Sequence, residues 1–259
     1  MKNKHFNLTS GIVLILIPLV FSFTGCKDDY ETYYEGYGLV SKSGDEKFTV
    51  KLDDGYLLYP REYYFNPEKL NDSTRLRIRF NILEEQDTNL YARIVYADTI
   101  LTKSILPYDE TILDSVGNAP VKIVNSWFAH GFLNFEFMFA AHLNPSTGKT
   151  HMVNLLQCPT EDDRLIFEFR HNDFGDSRDK LYFGTVSFPI QKLTEGYEKP
   201  IKMIVKYNDS ANTTRSIELT YKESENLQRS VIELWGFSFI YQSLKIRLTI
   251  LASSKNSSE

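Results

Sequence analysis

The stretch that decides the fold is residues 74–83, Thr-Arg-Leu-Arg-Ile-Arg-Phe-Asn-Ile-Leu. Apolar side chains occupy the even-numbered positions from Leu76 to Ile82, and arginines occupy positions 75, 77 and 79 between them. Side chains of a β-strand alternate between its two faces, so this pattern predicts a strand with one buried and one exposed face. Similar alternation recurs along the chain without any long segment of 3.6-residue period, which predicts an all-β protein.

Four more strands are predicted in the first half of the chain, at residues 38–42, 47–52, 56–59 and 90–101. Asp53-Asp54-Gly55 separates the second of these from the third and is typical of a hairpin turn. Together with residues 74–83 they make five short strands, which favour a small closed or nearly closed barrel. We predict that this barrel domain spans residues 38–106.

A second series of strands follows Pro107 and the polar run at residues 108–118. The candidates are residues 121–128, 132–140, 152–157, 165–171, 182–188, 202–207 and 216–221. In the second of them, Phe135, Phe137 and other odd-numbered apolar residues share one face. Seven short strands separated by Asp, Asn, Gly and Pro clusters indicate an antiparallel β-sandwich, predicted over residues 107–222.

The first 26 residues have the plan of a bacterial lipoprotein signal peptide. Lys2 and Lys4 form a basic start, an apolar run extends to residue 23, and small residues precede Cys26. The segment resembles a lipobox, although Phe23 stands where leucine is usual. We therefore predict a signal peptide at residues 1–25 and a covalent lipid on Cys26, whose acyl chains anchor the protein in the bilayer. The alternative is a secreted protein with an incidental cysteine at its cleavage site.

The acidic segment after the cysteine bears on orientation. Lys27, Asp28 and Asp29 look like the export signal of surface-displayed lipoproteins of the Bacteroidota. The alternative is a solvated spacer between the anchor and the folded domains. We expect an outer-membrane lipoprotein that faces the cell surface, with an acidic tether at residues 26–37.

Composition limits the possible partners. Removal of residues 1–25 takes away Lys2 and Lys4 and no acidic residue, which leaves 27 basic and 34 acidic residues. The resulting net charge of −7 argues against nucleic acid as a partner.

With Cys26 lipidated, Cys158 is the one remaining thiol, so no intramolecular disulfide can form. We expect no cofactor apart from the covalent lipid.

Candidate chemical groups are few. Cys158 precedes an acidic run that disfavours a thiolate, so we interpret it as a small buried apolar residue. Four histidines, His130, His142, His151 and His171, lack the spacing of a metal motif, and we expect no metal site. The cluster at residues 170–176 is interpreted as a turn, with a ligand site as the alternative. No nucleophile frame is present, so we expect a protein that is not an enzyme and assign no catalytic residue.

Two further segments stay open at this level. The arginines at positions 75, 77 and 79 form a basic stripe on one strand face, which favours pairing with acids such as Glu84 or Asp98. An anionic glycan or a protein partner is the alternative. Residues 223–259 form an atypical tail whose apolar part is interrupted by charges, so it is a poor membrane span. It fits either an added strand pair or a tail altered by a frameshift.

Several stretches in order resemble the NigD-like lipoproteins. They are Asp53-Asp54-Gly55, Leu58-Tyr59-Pro60, Ile100-Leu101-Thr102-Lys103, residues 114–123 with Trp127, residues 167–172 with Gly175-Asp176, Val186-Ser187-Phe188, Val205-Lys206-Tyr207-Asn208 and Leu219-Thr220-Tyr221-Lys222. The resemblance covers residues 1–222 and implies an N-terminal OB-type barrel followed by a C-terminal β-sandwich. It also implies a link to bacteriocin production or immunity, because the family takes its name from such an operon.

Three functions are compatible with these observations. The first is a non-catalytic surface binding module, because two β domains on an anchor commonly present binding faces. The second is a glycan-binding lipoprotein, which the aromatic content of 14% favours if those rings are exposed. The third is a hydrolase with a site near His171. The predicted partners are the bilayer, through Cys26, and a protein or a glycan.

Overall fold

The computed structural model describes residues 31–43, 47–142, 150–209 and 213–222. The predicted signal peptide, Cys26, the export signal Lys27-Asp28-Asp29 and the tail at residues 223–259 lie outside the described residues. In the described part of the chain, no helix has the length and apolar character needed to cross a membrane.

Five strands close into a barrel, which forms the first domain. They are β1 (Tyr34–Ser43), β2 (Lys47–Leu52), β3 (Leu57–Tyr63), β4 (Arg75–Gln86) and β5 (Asn89–Thr99). Their order around the barrel is β1-β2-β3-β5-β4, and β4 pairs with β1 to close it. Asp53-Asp54-Gly55 makes the turn between the antiparallel strands β2 and β3, as predicted. Closure leaves the barrel without a free sheet edge.

The alternation in residues 74–83 fills the barrel interior. Leu76 and Ile78 are fully buried and Phe80 is nearly so. They share one core with Leu70, from the connection before β4, and with side chains of the other strands: Val40, Phe48, Val50, Leu52, Leu58, Leu90, Ala92 and Ile94. The prediction that the even-numbered positions face inward is confirmed.

The first strand begins at Tyr34, four residues before the predicted start at residue 38. Tyr34 stacks on Phe80, with ring centroids 5.9 Å apart, and so belongs to the barrel. Gly38 also has a packing role, because a Cβ there would lie 2.5 Å from Val50 Cγ1 and 2.8 Å from the Lys51 carbonyl oxygen. The tyrosines and glycines that resemble a tether in sequence are therefore strand residues.

The second domain consists of two sheets. The strands are β6 (Leu101–Thr102), β7 (Leu106–Pro107), β8 (Lys122–Ala129), β9 (Phe132–Ala141), β10 (Met152–Glu161), β11 (Arg164–Asn172), β12 (Lys180–Pro189), β13 (Ile201–Asn208) and β14 (Thr214–Tyr221). One sheet has the order β14-β13-β11-β10-β7 and the other β6-β12-β9-β8. The predicted barrel followed by a sandwich is confirmed.

Two features of the sandwich differ from the prediction. Three strand pairs are parallel rather than antiparallel, namely β7 with β10, β11 with β13, and β6 with β12. The sheet residues also begin at Leu101, because β6 pairs with β12 immediately after the last barrel strand. Strands β6 and β7 are two residues long and too short for a periodic pattern, so the sequence did not predict them.

The sandwich core is largely aromatic. Phe135, Phe137, Phe167 and Phe169 are at most 5% exposed, as predicted. The ring of Phe169 makes edge contacts with Phe135 at 5.2 Å and with Phe137 at 5.3 Å. Such pairs contribute beyond the area they bury because a ring edge meets a ring face.

Helical structure in the described residues is limited to single turns. Two α-helical turns, α1 (Leu113–Val116) and α2 (Gln191–Thr194), lie in connections between strands. Two 3-10 turns, Pro67–Lys69 and Glu110–Ile112, begin at the side-chain caps Asn66 and Asp109. The described parts of both domains therefore consist of β-sheets joined by loops and single helical turns.

A buried ion pair joins the barrel to the sandwich. Arg75, at the start of β4, donates from Nη1 and Nη2 to the two carboxylate oxygens of Asp53, each at 2.6 Å. The Arg75 side chain is fully buried and that of Asp53 is 11% exposed. From the sandwich, Trp127 Nε1 donates to Asp53 at 2.7 Å, and Asn134 Oδ1 accepts from Arg75 at 3.1 Å. Both domains thus complete the coordination of the pair.

A second contact extends this junction. Tyr37 of β1 donates its hydroxyl to Glu136 Oε1 of β9 at 2.5 Å, and its ring lies 5.1 Å from that of Trp127. Burial, reinforced by the hydrogen bond and charge of Glu136, raises the pKa of Tyr37. The phenol therefore stays protonated and remains a donor across the junction.

Candidate binding groove

The outer face of strands β1, β4 and β5 presents polar and aromatic side chains in register. Two rows cross the three strands: Glu35–Arg79–Tyr96 and Tyr37–Arg77–Asp98. Residues two apart on a strand point to the same face, so both rows lie on the outside of the barrel. The second row borders the sandwich, because Tyr37 contacts Glu136.

A groove of about 620 Å³ lies over these rows. Its lining residues are Tyr33, Glu35, Arg77, Ile78, Arg79, Val95 and Tyr96. This volume is within the range of roughly 300–1,000 Å³ that small-ligand sites occupy. Tyr96 is 51% exposed and Tyr33 is 39% exposed, so both rings are accessible at the groove.

The two arginines of the groove differ in their partners. Arg77 donates to Glu35 Oε2 at 2.9 Å, and although burial opposes the effect, this hydrogen bond and charge raise the pKa of Arg77. Arg79 is exposed, and its guanidinium carbon lies 4.8 Å from the centre of the Tyr33 ring. Among the described residues no carboxylate is within salt-bridge distance of Arg79. Its positive charge is therefore the uncompensated one in the groove.

The phenol of Tyr96 completes the row. Slight burial and the neighbouring carboxylate of Asp98 raise its pKa, so it remains a neutral donor and acceptor at physiological pH. The groove thus combines a free guanidinium, an ion pair and two accessible rings. This set of groups can bind polar ligands, and it lacks a nucleophile aligned with a base.

The sequence located this surface only in part. Arg75, Arg77 and Arg79 share one face of β4, as predicted, but only Arg77 and Arg79 are accessible there, because the sandwich covers Arg75 and its partner Asp53. Arg77 pairs with Glu35 rather than with Glu84 or Asp98. Glu35 and Tyr96 were missed, because only the strand register brings them beside Arg79 and that register is not visible in the sequence.

Two of the four candidate histidines form a buried chain at one end of the sandwich. His151 Nδ1 lies 2.9 Å from His171 Nε2, and His151 Nε2 lies 3.1 Å from Asp176 Oδ2. His142 lies next to this chain, because its backbone N donates to Asp176 Oδ2 at 2.8 Å, but its Nδ1 is 2.6 Å from Asp179 Oδ2. His130 lies elsewhere, with Nε2 3.2 Å from the Leu52 carbonyl oxygen. No group of three or more His, Cys, Asp and Glu side chains in the described residues is arranged to hold a metal.

The protonation of the buried pair follows from its surroundings. Burial, together with the neighbouring His151, lowers the pKa of His171 from 6.5 to about 4. The carbonyls of Ala119 and Pro120 oppose this shift, but neither forms a hydrogen bond with Nδ1, which is buried without a partner. His171 is therefore neutral at pH 7. His171 is only 2% exposed, so a substrate in solution cannot reach its side chain.

The motif residues near His171 have structural roles. Gly117 lies against β11, where a Cβ would stand 2.7 Å from Asn172 Cα. Ala119 N donates to the His171 carbonyl at 2.7 Å, and Asn172 Nδ2 donates to the Ser115 carbonyl at 2.8 Å. These contacts hold the segment after α1 on the sheet. The predicted turn follows the end of β11 at Asn172, where Phe174 N donates to Asn172 Oδ1 at 2.8 Å and Asp176 N to the Asp173 carbonyl at 2.9 Å.

Cys158 is half-buried on β10, whereas the sequence predicted a buried residue. Burial, reinforced by the charge of Glu168, raises the pKa of its thiol to about 11. A thiolate is therefore scarce at neutral pH, and Cys158 is a poor nucleophile.

Comparisons with known proteins agree with this architecture. A family model described as the NigD-like N-terminal OB domain matches residues 37–100, and one described as the NigD-like C-terminal beta sandwich domain matches residues 104–221. A comparison with curated proteins finds no match.

Three solved structures are similar over most of their length. A suggested toxin-related protein of Parabacteroides distasonis is 27% identical, with a TM-score of 0.60, and the match covers 74% of this chain and 94% of that one. A NigD-like immunity protein of Bacteroides caccae is 19% identical, with a TM-score of 0.59 and coverage of 76% and 100%. A suggested lipoprotein of Bacteroides fragilis is 13% identical, with a TM-score of 0.58 and coverage of 75% and 100%.

The fold and the groove define a two-domain β protein in which an OB barrel with an exposed polar face is fixed to a β-sandwich. The two matched domains, in this order, identify the family: the chain belongs to the NigD-like proteins.

Proposed function

We propose that this protein is a non-catalytic binding module, anchored in the outer membrane and facing the cell surface, that captures its ligand in the barrel groove. We extend the proposal to a link with bacteriocin production or immunity, which the Bacteroides caccae immunity protein of the same fold supports. The ligand is a protein or a glycan encountered outside the cell.

One observation carries the proposal. Arg79 and Tyr96 are exposed, adjacent across β4 and β5, and lie in a groove of about 620 Å³. Exposed aromatic rings and arginines are enriched where proteins bind ligands and partners. The junction formed by Asp53 and Arg75 fixes the barrel that carries this face, and a rigid scaffold lowers the entropy cost of binding.

The anchor is supported by the sequence. The basic start, the apolar run and the small residues before Cys26 agree with a lipoprotein signal peptide. A lipid on Cys26 holds the protein in the bilayer when two or more acyl chains insert. A suggested lipoprotein among the structures of the same fold is consistent with this anchor.

The hydrolase alternative gains no support from the described residues. His171 is buried and neutral, and its partner His151 bonds to Asp176 rather than to a hydroxyl or a thiol. Cys158 is held as a thiol by its raised pKa. A nucleophile with a base at hydrogen-bond distance is the minimum arrangement for covalent catalysis.

The test is cross-linking and pull-down from intact cells with the full-length protein. We expect the double variant Arg79→Gln, Tyr96→Ala to lose the captured molecule while its surface level stays equal to that of the wild type. The matched control is Arg61→Gln, because Arg61 also lies over a tyrosine ring, that of Tyr91 at 4.4 Å, and does not line the groove.

Sensitivity of a deletion strain to bacteriocins from neighbouring strains gives the second readout. Complementation with the wild type and with Arg61→Gln restores resistance, and complementation with the groove variant does not. Equal capture and equal resistance with the groove variant and the wild type would refute the assignment of this face.

A further inference from the structure

The chemistry of the groove narrows the class of ligand. The row Glu35–Arg79–Tyr96 crosses three strands at a spacing of about 4.8 Å, so its groups extend over about 10 Å. A ligand that contacts the whole row must itself be extended. The row contains a carboxylate acceptor, a guanidinium donor and a phenol that can do both.

A positive charge without a partner stands in the middle of this row. Arg79 contacts the face of Tyr33 and, within the described residues, has no carboxylate in salt-bridge range. Arginine presents a planar fork of donors that matches a carboxylate with two hydrogen bonds. The guanidinium is therefore available to a carboxylate on the ligand.

The groups around Arg79 fit hydroxyls and ring faces. The ion pair of Arg77 and Glu35, at 2.9 Å, places donors and acceptors side by side, and a hydroxyl needs both. The ring of Tyr96 is 51% exposed and offers a flat apolar face, while the ring of Tyr33 supports the Arg79 guanidinium. A sugar ring presents this combination, since it has hydroxyls at its edge and C–H groups on its face.

A protein ligand fits the same groove less well. The centre of a protein–protein interface is apolar and depleted of charge. Here the aliphatic lining residues are Ile78, which is fully buried inside the barrel, and Val95, which is half-buried. The accessible surface is made of arginines, a glutamate and tyrosine rings.

From these contacts we infer that the groove binds an acidic oligosaccharide, with Arg79 on a uronic-acid carboxylate, Tyr96 against a sugar face, and Glu35 and Arg77 on hydroxyls. This inference rests on the proposed binding function of the groove and specifies its ligand.

The experiment is calorimetric titration of the full-length mature protein in detergent micelles. The probes are oligogalacturonate, alginate and hyaluronan oligosaccharides, the same oligosaccharides after reduction of their carboxyls to alcohols, and poly-glutamate peptide. We expect at least one acidic oligosaccharide to bind. Its carboxyl-reduced form should bind with an affinity at least about tenfold lower, because the charged hydrogen bonds to Arg79 are lost.

The variants distinguish the groove from the rest of the surface. Arg79→Gln lowers affinity about tenfold or more, Tyr96→Ala also lowers it, and Arg61→Gln leaves it unchanged. Thermal unfolding at the wild-type temperature confirms that the variants are folded, which is expected because both positions are exposed. Binding also weakens as salt rises, because an exposed charge pair is screened.

The failures are separable. If no acidic oligosaccharide binds, or Arg79→Gln binds it as well as the wild type, the glycan inference is overturned. If poly-glutamate alone binds through Arg79, the ligand is an acidic polypeptide and the inference is equally overturned. In both cases, groove-dependent capture on cells would still support the proposed binding function. If the groove variant also captures as much as the wild type on cells, the proposed function and the glycan inference are both overturned.

Discussion

Asp53 and Arg75 form a bidentate ion pair at the boundary of the two domains, with both nitrogen–oxygen distances at 2.6 Å. Removing one charge from a buried pair leaves the other without compensation, which costs about 3–5 kcal/mol. We therefore expect Asp53→Asn to lower the free energy of unfolding by about this amount, as measured by urea denaturation.

An exposed pair provides the control for this substitution. Asp162 lies 3.0 Å from Arg164, and its side chain is 86% exposed. Asp162→Asn should change the free energy of unfolding by less than about 1 kcal/mol, because water solvates both charges. Equal effects of Asp53→Asn and Asp162→Asn would contradict a stabilising role for the junction.

Gly117 and Gly175 allow a steric effect to be separated from a backbone effect. Both have positive φ angles, +70° and +72°, but a Cβ at Gly117 would lie 2.7 Å from Asn172 Cα, whereas one at Gly175 would have no atom within 4 Å. We expect Gly117→Ala to cost about 2–4 kcal/mol and Gly175→Ala about 1 kcal/mol in denaturation experiments. Similar costs would show that the contact with Asn172 can relax.

His171 makes stability depend on pH. Its pKa in the folded protein, about 4, lies below the ordinary value of 6.5, so the unfolded chain binds the proton more readily. The stability from keeping this residue neutral is complete above pH 6.5 and is lost as the pH falls from 6.5 toward 4. Between pH 7 and pH 4.5 the loss is about 2–3 kcal/mol.

Two variants isolate this contribution from the titration of carboxylates. Denaturation at pH 7 and pH 4.5 should show a smaller loss of stability for His171→Gln than for the wild type. His142→Gln changes a histidine that is 47% exposed, and this control should leave the contribution of His171 in place. If His171→Gln lost as much stability as the wild type between pH 7 and pH 4.5, another group would be responsible for the loss.

The sequence predicts those parts of the fold that depend on local periodicity. Strand β4 and the phenylalanines of β9 alternate with period two, so their buried faces can be assigned without a structure. The parallel pairs could not be predicted, because parallel pairing depends on the path of the connections and leaves no local signal. The early start of β1 was hidden by Gly36 and Gly38, which are unusual inside strands.

The groove was predictable only through its arginines. Alternation places Arg77 and Arg79 on the outside of β4, but the same rule also places Arg75 there. Arg75 is buried because the sandwich packs over the end of the strand, which is a tertiary effect. Glu35 and Tyr96 are separated by 61 positions in the chain, and only barrel closure brings both beside Arg79.

The anchor gives a prediction that does not depend on the folded domains. If Cys26 carries the lipid, Cys26→Ser removes the thiol to which the lipid attaches. We expect the variant to leave the detergent phase in a phase-partitioning experiment and to persist uncleaved or to be released. Partitioning identical to that of the wild type would exclude lipidation at this residue.

The acidic segment is tested separately from the anchor. Replacing Lys27, Asp28 and Asp29 by alanine should preserve lipidation and reduce digestion by protease added to intact cells, because export to the outer face would fail. Lysed cells provide the control, since the variant and the wild type should be digested equally there. Undiminished digestion on intact cells would argue for a spacer role of this segment.

The junction around Asp53 also constrains how the protein can respond to a ligand. Rotation of the barrel relative to the sandwich would break the hydrogen bonds of Arg75 with Asn134 and of Tyr37 with Glu136. Polar groups that are now hydrogen-bonded would lose their partners, which costs free energy. Domain closure, the usual way in which a receptor reports occupancy, is therefore disfavoured here. If the groove captures a ligand as proposed, the expected effect is sequestration of that ligand without a change of domain arrangement.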